Sequence, residues 1–160
     1  MDEPFLERAV GDLLRERKLT LVTAESCTAG LLGYFITLAP GSSAYYLGGV
    51  VCYANDAKIA LAGVNPQTLL EHGAVSAETA LDMAQGIRRN LHGDIGLSVT
   101  GIAGPGGGSP DKPVGLTWIG LASASGTQAF RFVWNDGREK NRLESARAAL
   151  QVLLDHLQGR

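Results

Sequence analysis

Cysteine is scarce: Cys27 and Cys52 are the only two in 160 residues. Neither lies in a Cys-x-x-Cys pair and neither has a histidine near it, so no disulfide framework and no zinc site is supported, and both read as reduced thiols. Histidine is nearly as rare. His72, His92 and His156 each fall in the last turn of an expected helix, where a cation suits the helix dipole, which leaves a Ser–His or Cys–His pair without its usual base. Positive charge is not in excess: 14 Lys and Arg face 16 Asp and Glu, a net charge of −2, so no nucleic acid partner is expected. No apolar run approaches the ~20 residues of a membrane span, and Met1-Asp2-Glu3-Pro4 carries no basic n-region. A cytoplasmic chain with no membrane partner is expected. Composition does not shift along the chain and no repeat is visible, which points to one domain over residues 1–160.

Glycine is abundant, with 21 residues, so tight turns and backbone-lined sites are expected. The apolar pattern supplies the elements around them. Phe5, Leu6, Ala9, Val10, Leu13 and Leu14 share one helix face, with Pro4 near the start and Arg15-Glu16-Arg17-Lys18 at the end. Leu19 to Ala24 reads as a strand, and Ala29 to Ile36 as a mostly buried helix ending before Pro40-Gly41. Gly48 to Tyr53 is apolar without alternation, which predicts an interior strand covered on both faces.

Two short helices follow, Asn55 to Ala62 stopped by Gly63, then one capped by Asn65 with Pro66 at its first position and Gly73 after its end. Ser76 caps a longer helix whose core face is Ala80, Met83, Ala84 and Ile87. Ile95 to Thr100 is a strand, and Val114 to Ser123 and Gln128 to Val133 form an antiparallel hairpin. Asn135 or Asp136 caps the last helix, with Leu143, Ala146, Leu150, Leu153 or Leu154, and Leu157 inward. Strands interleaved with helices and closed by a hairpin imply an α/β fold. The expected architecture is a three-layer α/β/α sandwich on a mixed, mostly parallel sheet of about five strands. Sites in such folds gather at strand C-terminal ends.

Four segments could carry chemistry. Ala24-Glu25-Ser26-Cys27-Thr28 joins a strand to a helix, where a nucleophile would face the free N–H groups of the helix start. Ser26 is placed to attack a carbonyl, although Ala24 and Thr28 exclude the Gly-x-Ser-x-Gly elbow. Ser26 or Thr28 could equally cap the helix, and Cys27 is a rival nucleophile. Lys58 sits in the apolar stretch Asn55 to Ala62, after a strand that should end at the same sheet edge. Burial there would lower its pKa and make a neutral amine that takes a proton from a serine; the alternative is a solvated helix face. Tyr53, at the strand end, could donate to Lys58 or to substrate. The Gly/Pro-rich loop from Thr100 to Pro113 could cradle an anion on its backbone N–H groups, but it has neither the dinucleotide nor the P-loop pattern, and a strand follows it. Among Arg138, Arg142 and Arg147 on the last helix, Arg142 could clamp a phosphate or carboxylate.

Read together, Thr23-Ala24-Glu25-Ser26-Cys27-Thr28-Ala29-Gly30, Gly41-Ser42-Ser43, Tyr53-Ala54-Asn55-Asp56-Ala57-Lys58, His72-Gly73-Ala74-Val75-Ser76, Thr100-Gly101-Ile102-Ala103-Gly104-Pro105 and Lys112-Pro113-Val114-Gly115 resemble the CinA C-terminal domain family. The resemblance runs from about Leu6 to Leu157. It implies a nicotinamide-mononucleotide deamidase that needs no metal and no cofactor, acts on a small-molecule pyridine nucleotide, and assembles as a homodimer or higher homo-oligomer. Carried over by residue, it implies Ser26 as nucleophile, Lys58 as its base and Tyr53 beside them. Ser43 and Thr100 resemble its active-site polar groups and Arg142 its basic residue on the final helix; with Thr28, Gly101 and Gly104 they are the expected substrate-binding residues, and Ser43 is the next candidate nucleophile. Ala29 stands where a glycine is often found, which bears on local backbone geometry. Many relatives carry a larger domain before this one, and the stand-alone form is expected here. A non-catalytic nucleotide-binding or partner-docking module of the same fold, and an amidase for another small amide, are the competing readings.

Overall fold

The computed structural model describes residues 5–160; the expected place of Pro4 at the first helix lies outside them. In chain order the elements are α1 (Leu6–Arg17), β1 (Leu21–Glu25), α2 (Leu31–Thr37), a 3-10 turn (Ser42–Ala44), β2 (Tyr46–Val51), α3 (Asn55–Ala62), α4 (Pro66–His72), α5 (Ala77–Asn90), β3 (Ile95–Gly101), β4 (Leu116–Ser123), β5 (Gly126–Val133) and α6 (Arg138–Leu157). The five strands form one sheet in the order β2-β1-β3-β4-β5. β1 pairs in parallel with both β2 and β3, whereas β4 is antiparallel to β3 and to β5. Strands β2, β1, β3 and β5 therefore run one way and β4 alone runs back, which is the mixed, mostly parallel sheet expected.

Two apolar layers enclose that sheet. On one face Val10 and Leu14 of α1, Leu32 and Ile36 of α2, and Ala146, Leu150 and Leu153 of α6 pack on Leu21, Leu97, Val99, Ile119 and Leu121. On the other, Met83 and Ile87 of α5, with Ala62 and Val64 from the end of α3, pack on Val22 and Ala24. Every residue of β1 is buried because it is central and covered on both sides. The Asn65 cap, with its side chain accepting from Gln67 N, and the Ser76 cap, accepting from Thr79 N, stand where the sequence places them.

Three expectations are corrected. β2 is an edge strand of alternating burial, not an interior one: Leu47 and Val51 stay 51% and 48% exposed. Its register with β1 skips Leu47, Leu21 pairing with Tyr46 and Val22 with Gly48 at φ +139°. An apolar run signals burial on two faces only where two layers exist, and at the sheet edge one is absent. α2 begins at Leu31 rather than Ala29, because Ala29 and Gly30 are left-handed at φ +47° and +103°. α6 has neither Asn135 nor Asp136 as cap; Gly137 is the residue before it, with no side-chain cap. Instead the buried Asn141 accepts the Asp136 N–H on its Oδ1, drawing the loop back onto the helix.

Candidate active site

The C-terminal ends of β1 and β3 and the chain just after β2 meet at one edge of the sheet, as the parallel register requires. There a recess of about 200 Å³ is lined by Ser26, Cys27, Tyr53, Asn55, Lys58, Ala74, Val75, Thr100, Gly101, Ala103 and Arg138. Lys58 is 2% exposed and Ser26 is 7% exposed. The Lys58 ammonium nitrogen donates to Ser26 Oγ at 3.0 Å and to the Tyr53 carbonyl at 2.9 Å. No carboxylate pairs with it among the described residues. Burial therefore drives its pKa below the ordinary lysine value, partly opposed by the neighbouring Cys52, Cys27 and Tyr53.

The sequence folds this way for local reasons. After β1 the chain leaves the sheet through Ser26–Gly30, and the Ser26 N–H is held by the Val99 carbonyl of β3 at 2.9 Å. α3 is one turn deep at Lys58, so the long side chain runs back under the sheet edge toward Ser26. Cys27 also lines the recess, but burial pushes its thiol up to about 12. At neutral pH it is a protonated, weakly nucleophilic group.

Tyr53 contributes differently from the expectation. Its carbonyl, not its hydroxyl, meets Lys58; the ring is 59% exposed and its Oη accepts from Arg138 Nη2 at 3.3 Å. Thr100 lines the recess and donates from Oγ1 to the Ala74 carbonyl at 2.8 Å. Gly101 is required by crowding: a Cβ there would stand 2.8 Å from the Leu116 carbonyl oxygen and 3.1 Å from Cys27 Sγ. Gly104, at φ +89°, sends its carbonyl to Arg138 Nη1 at 2.7 Å, and Ala103 rather than Gly104 faces the recess.

Besides Gly104, three expected binding residues lie elsewhere. Thr28 is fully buried and spends its hydroxyl on Glu25 Oε1 at 2.7 Å. Arg142 donates from Nε to the Cys27 carbonyl at 2.9 Å and from Nη2 to the Thr28 carbonyl at 3.4 Å, so it braces the turn from behind. Ser43 lies in the 3-10 turn before β2, hence at the opposite end of the β1–β2 pair from Ser26; within one chain the two are not brought together. Arg138 supplies the cation at the recess. It is one turn before Arg142 on the same helix face, and only the position of the Gly-rich loop distinguishes the two. Asn55, Ala74 and Val75 are additions from the structure. Asn55 precedes Lys58 by three residues, the one sequence signal that it shares a face with it.

None of the three histidines lines the recess. Among the described residues no three His, Cys, Asp or Glu side chains converge as a metal ligand set would, and no helix is long and apolar enough to cross a membrane. A larger groove of about 600 Å³ between β5 and α6, lined by Phe130, Phe132 and Trp134, holds no hydroxyl or thiol side chain.

Comparison with known proteins identifies the family and the fold. A family model described as the CinA C-terminal domain matches residues 3–157. A CinA-like protein of Chlorobaculum tepidum is 49% identical over 160 residues, covering 97% of this chain and 38% of that protein. A CinA-like protein of a Cyanothece species is 51% identical over 154 residues, covering 95% and 37%. The chain thus spans less than two fifths of the length of these curated relatives. Among solved structures, the competence/damage inducible protein CihA from Agrobacterium tumefaciens superposes with a TM-score of 0.90 at 39% identity, covering 99% of this chain and 98% of that one. The competence damage-inducible protein A (ComA) from Klebsiella pneumoniae gives 0.92 at 33%, covering 96% and 95%.

Proposed function

Since the chain belongs to the CinA C-terminal domain family, we propose that it is a serine amidohydrolase that converts nicotinamide mononucleotide and water to nicotinate mononucleotide and ammonia. In this reading residues 1–160 work as one amidohydrolase domain. The observation that carries it is the buried Lys58 amine, 3.0 Å from Ser26 Oγ with no carboxylate partner. A nucleotide-binding module gives no account of an unpaired amine held dry against an alcohol, because burying it costs stability without adding a contact to ligand.

The geometry supports a sequence of steps. Neutral Lys58 takes the Ser26 proton as Oγ attacks the carboxamide carbon. The tetrahedral intermediate collapses, the C–N bond breaks, and the lysine proton leaves with the departing nitrogen as ammonia. Water then adds to the acyl ester, giving one proton to Lys58, which returns it to Ser26 as the acid departs and loses its remaining proton to solvent as the carboxylate. Backbone N–H groups hold the oxyanion. Those of Ala29 and Gly30 are committed, to the Ser26 carbonyl and to Glu25 Oε1, which leaves the Cys27 and Thr28 N–H groups on the nucleophile turn and the Ala103 region of the Gly-rich loop. Loss of one such donor costs about 10²–10³ in rate.

Substrate charge fits the lining. Arg138 supplies a cation for the phosphate, the exposed Tyr53 ring offers a face to the pyridinium, and no Asp or Glu lines the recess. A homodimer or higher homo-oligomer belongs to the same reading, and the exposed Leu47 and Val51 on the β2 edge support it. The test is ammonia release from nicotinamide mononucleotide. Ser26→Ala and Lys58→Ala should each abolish it while leaving the nucleotide bound. Full turnover by Ser26→Ala would remove the nucleophile, and binding without ammonia by the unaltered protein would favour the module.

A further inference from the structure

One buried ionisable side chain stands beside the nucleophile and takes no part in the steps above. Glu25 ends β1, is 3% exposed, and forms no ion pair among the described residues. Its carboxylate is filled instead by donors of the following turn. Oε1 accepts from Thr28 Oγ1 at 2.7 Å, Leu32 N at 2.8 Å and Gly30 N at 3.1 Å, and Oε2 accepts from Gly33 N at 3.1 Å. Its main-chain carbonyl is tied as well, accepting the Cys52 N–H at 2.8 Å.

The turn that these bonds hold is not one the chain would choose freely. Ala29 and Gly30 are successive left-handed residues at φ +47° and +103°, and alanine is disfavoured there by its Cβ. An ionised acceptor makes stronger bonds than a neutral cap, and one carboxylate gathers three N–H groups and a hydroxyl that would otherwise be orphaned at the start of α2. From the far side Arg142 collects the Cys27 and Thr28 carbonyls. N–H groups drawn to Glu25 and carbonyls drawn to Arg142 hold the turn from both sides, and in that turn Ser26 Oγ lies 3.0 Å from Lys58 Nζ.

We propose that Glu25 is a positioning residue: its buried carboxylate sets the Ser26–Gly30 turn and so holds Ser26 Oγ within reach of the Lys58 amine. This rests on the reading of Ser26 as nucleophile. Glu25 acts by geometry, through the four bonds that fix the turn carrying Ser26.

The experiment labels the full chain with diisopropyl fluorophosphate, which bonds phosphorus to Ser26 Oγ and expels fluoride whatever the natural substrate is. Mass spectrometry follows the labelled fraction with time across pH. In Glu25→Gln an amide NH₂ faces N–H donors, and the rate constant should fall about 10²-fold, the scale of a 1 Å misplacement. The labelling endpoint and the pH midpoint should stay as in the unaltered protein. A lower endpoint with an unchanged rate constant means partial unfolding and overturns the proposal, as does a rate constant within twofold of the unaltered one. If Glu25→Gln does not fold, Thr28→Val removes one of the four bonds at nearly constant volume and should slow labelling several-fold; an unchanged rate overturns the proposal. Absence of Ser26 labelling in the unaltered protein defeats the nucleophile reading and this inference with it. Labelling without ammonia release defeats only the choice of substrate.

Discussion

Lys58→Met separates the chemistry of the amine from its effect on the fold. Methionine nearly matches the buried volume but donates nothing, so Ser26 Oγ and the Tyr53 carbonyl lose donors at 3.0 and 2.9 Å. An acceptor left unpaired costs about 1–3 kcal/mol. Against this, the burial that holds the amine below its ordinary pKa no longer penalises folding. The terms oppose each other, so a net change below about 2 kcal/mol at neutral pH is expected, about 4–8 °C in Tm for a chain of this size. Ammonia release should fall by about 10²–10⁴-fold, the contribution of a positioned base.

The pH dependence is the sharper readout. A lysine whose pKa is lowered by folding binds fewer protons folded than unfolded between its folded value and about 10.4. Its penalty is present in full below the folded pKa and is relieved as pH rises from that value to about 10.4. Thermal unfolding of both proteins from about pH 6 to 10.5 should therefore show the unaltered chain gaining on Lys58→Met as pH rises. Turnover should rise over the same interval, because only the neutral amine accepts the Ser26 proton. A Tm difference that stays constant throughout would mean that Lys58 titrates alike folded and unfolded, and the base assignment would not survive it.

Cys27→Ala should keep kcat within about tenfold, because a thiol pushed up to about 12 is protonated at neutral pH; loss as complete as that of Ser26→Ala would make Cys27 the nucleophile. Arg138→Gln removes the donors to the Gly104 carbonyl and Tyr53 Oη. It should raise KM for the mononucleotide about 10–100-fold, from about 1.5–3 kcal/mol per charged hydrogen bond, with little effect on nicotinamide riboside; equal effects on both compounds would contradict a phosphate contact. Gly86→Ala would place a Cβ 1.6 Å from the Ala62 carbonyl oxygen at the end of α3. Overpacking of about 1–3 kcal/mol should lower Tm by about 2–12 °C, seen by calorimetry, and disturb kcat because α3 carries Lys58.

Elements whose signals are local are legible in the chain. The Asn65 and Ser76 caps, the glycines at 63 and 73 and the helical spacing of Ala80, Met83, Ala84 and Ile87 require only near neighbours to be interpreted. β2 is not legible this way, because its residues are as apolar as those of an interior strand, and only its place at the sheet edge leaves Leu47 and Val51 exposed. The start of α2 is obscured for another reason. Ala29 is a good helix former by propensity, and the acceptors that hold it left-handed come from Glu25 and the turn around it.

Sequence alone determines which chemistry is available: a serine after a strand, a lysine in an apolar helix, a glycine-rich loop, and histidines confined to helix ends. Those are properties of residue type and near-neighbour spacing. Tertiary structure alone decides which of them meet. Parallel pairing of β1 with β2 brings Ser26 beside the chain leading to Lys58 while sending Ser43 to the other end of the strands. The placement of the Gly-rich loop against the first turn of α6 brings Arg138 to the recess and leaves Arg142 behind the turn. Those choices depend on strand direction and layer packing between residues far apart in the chain, which no local pattern encodes.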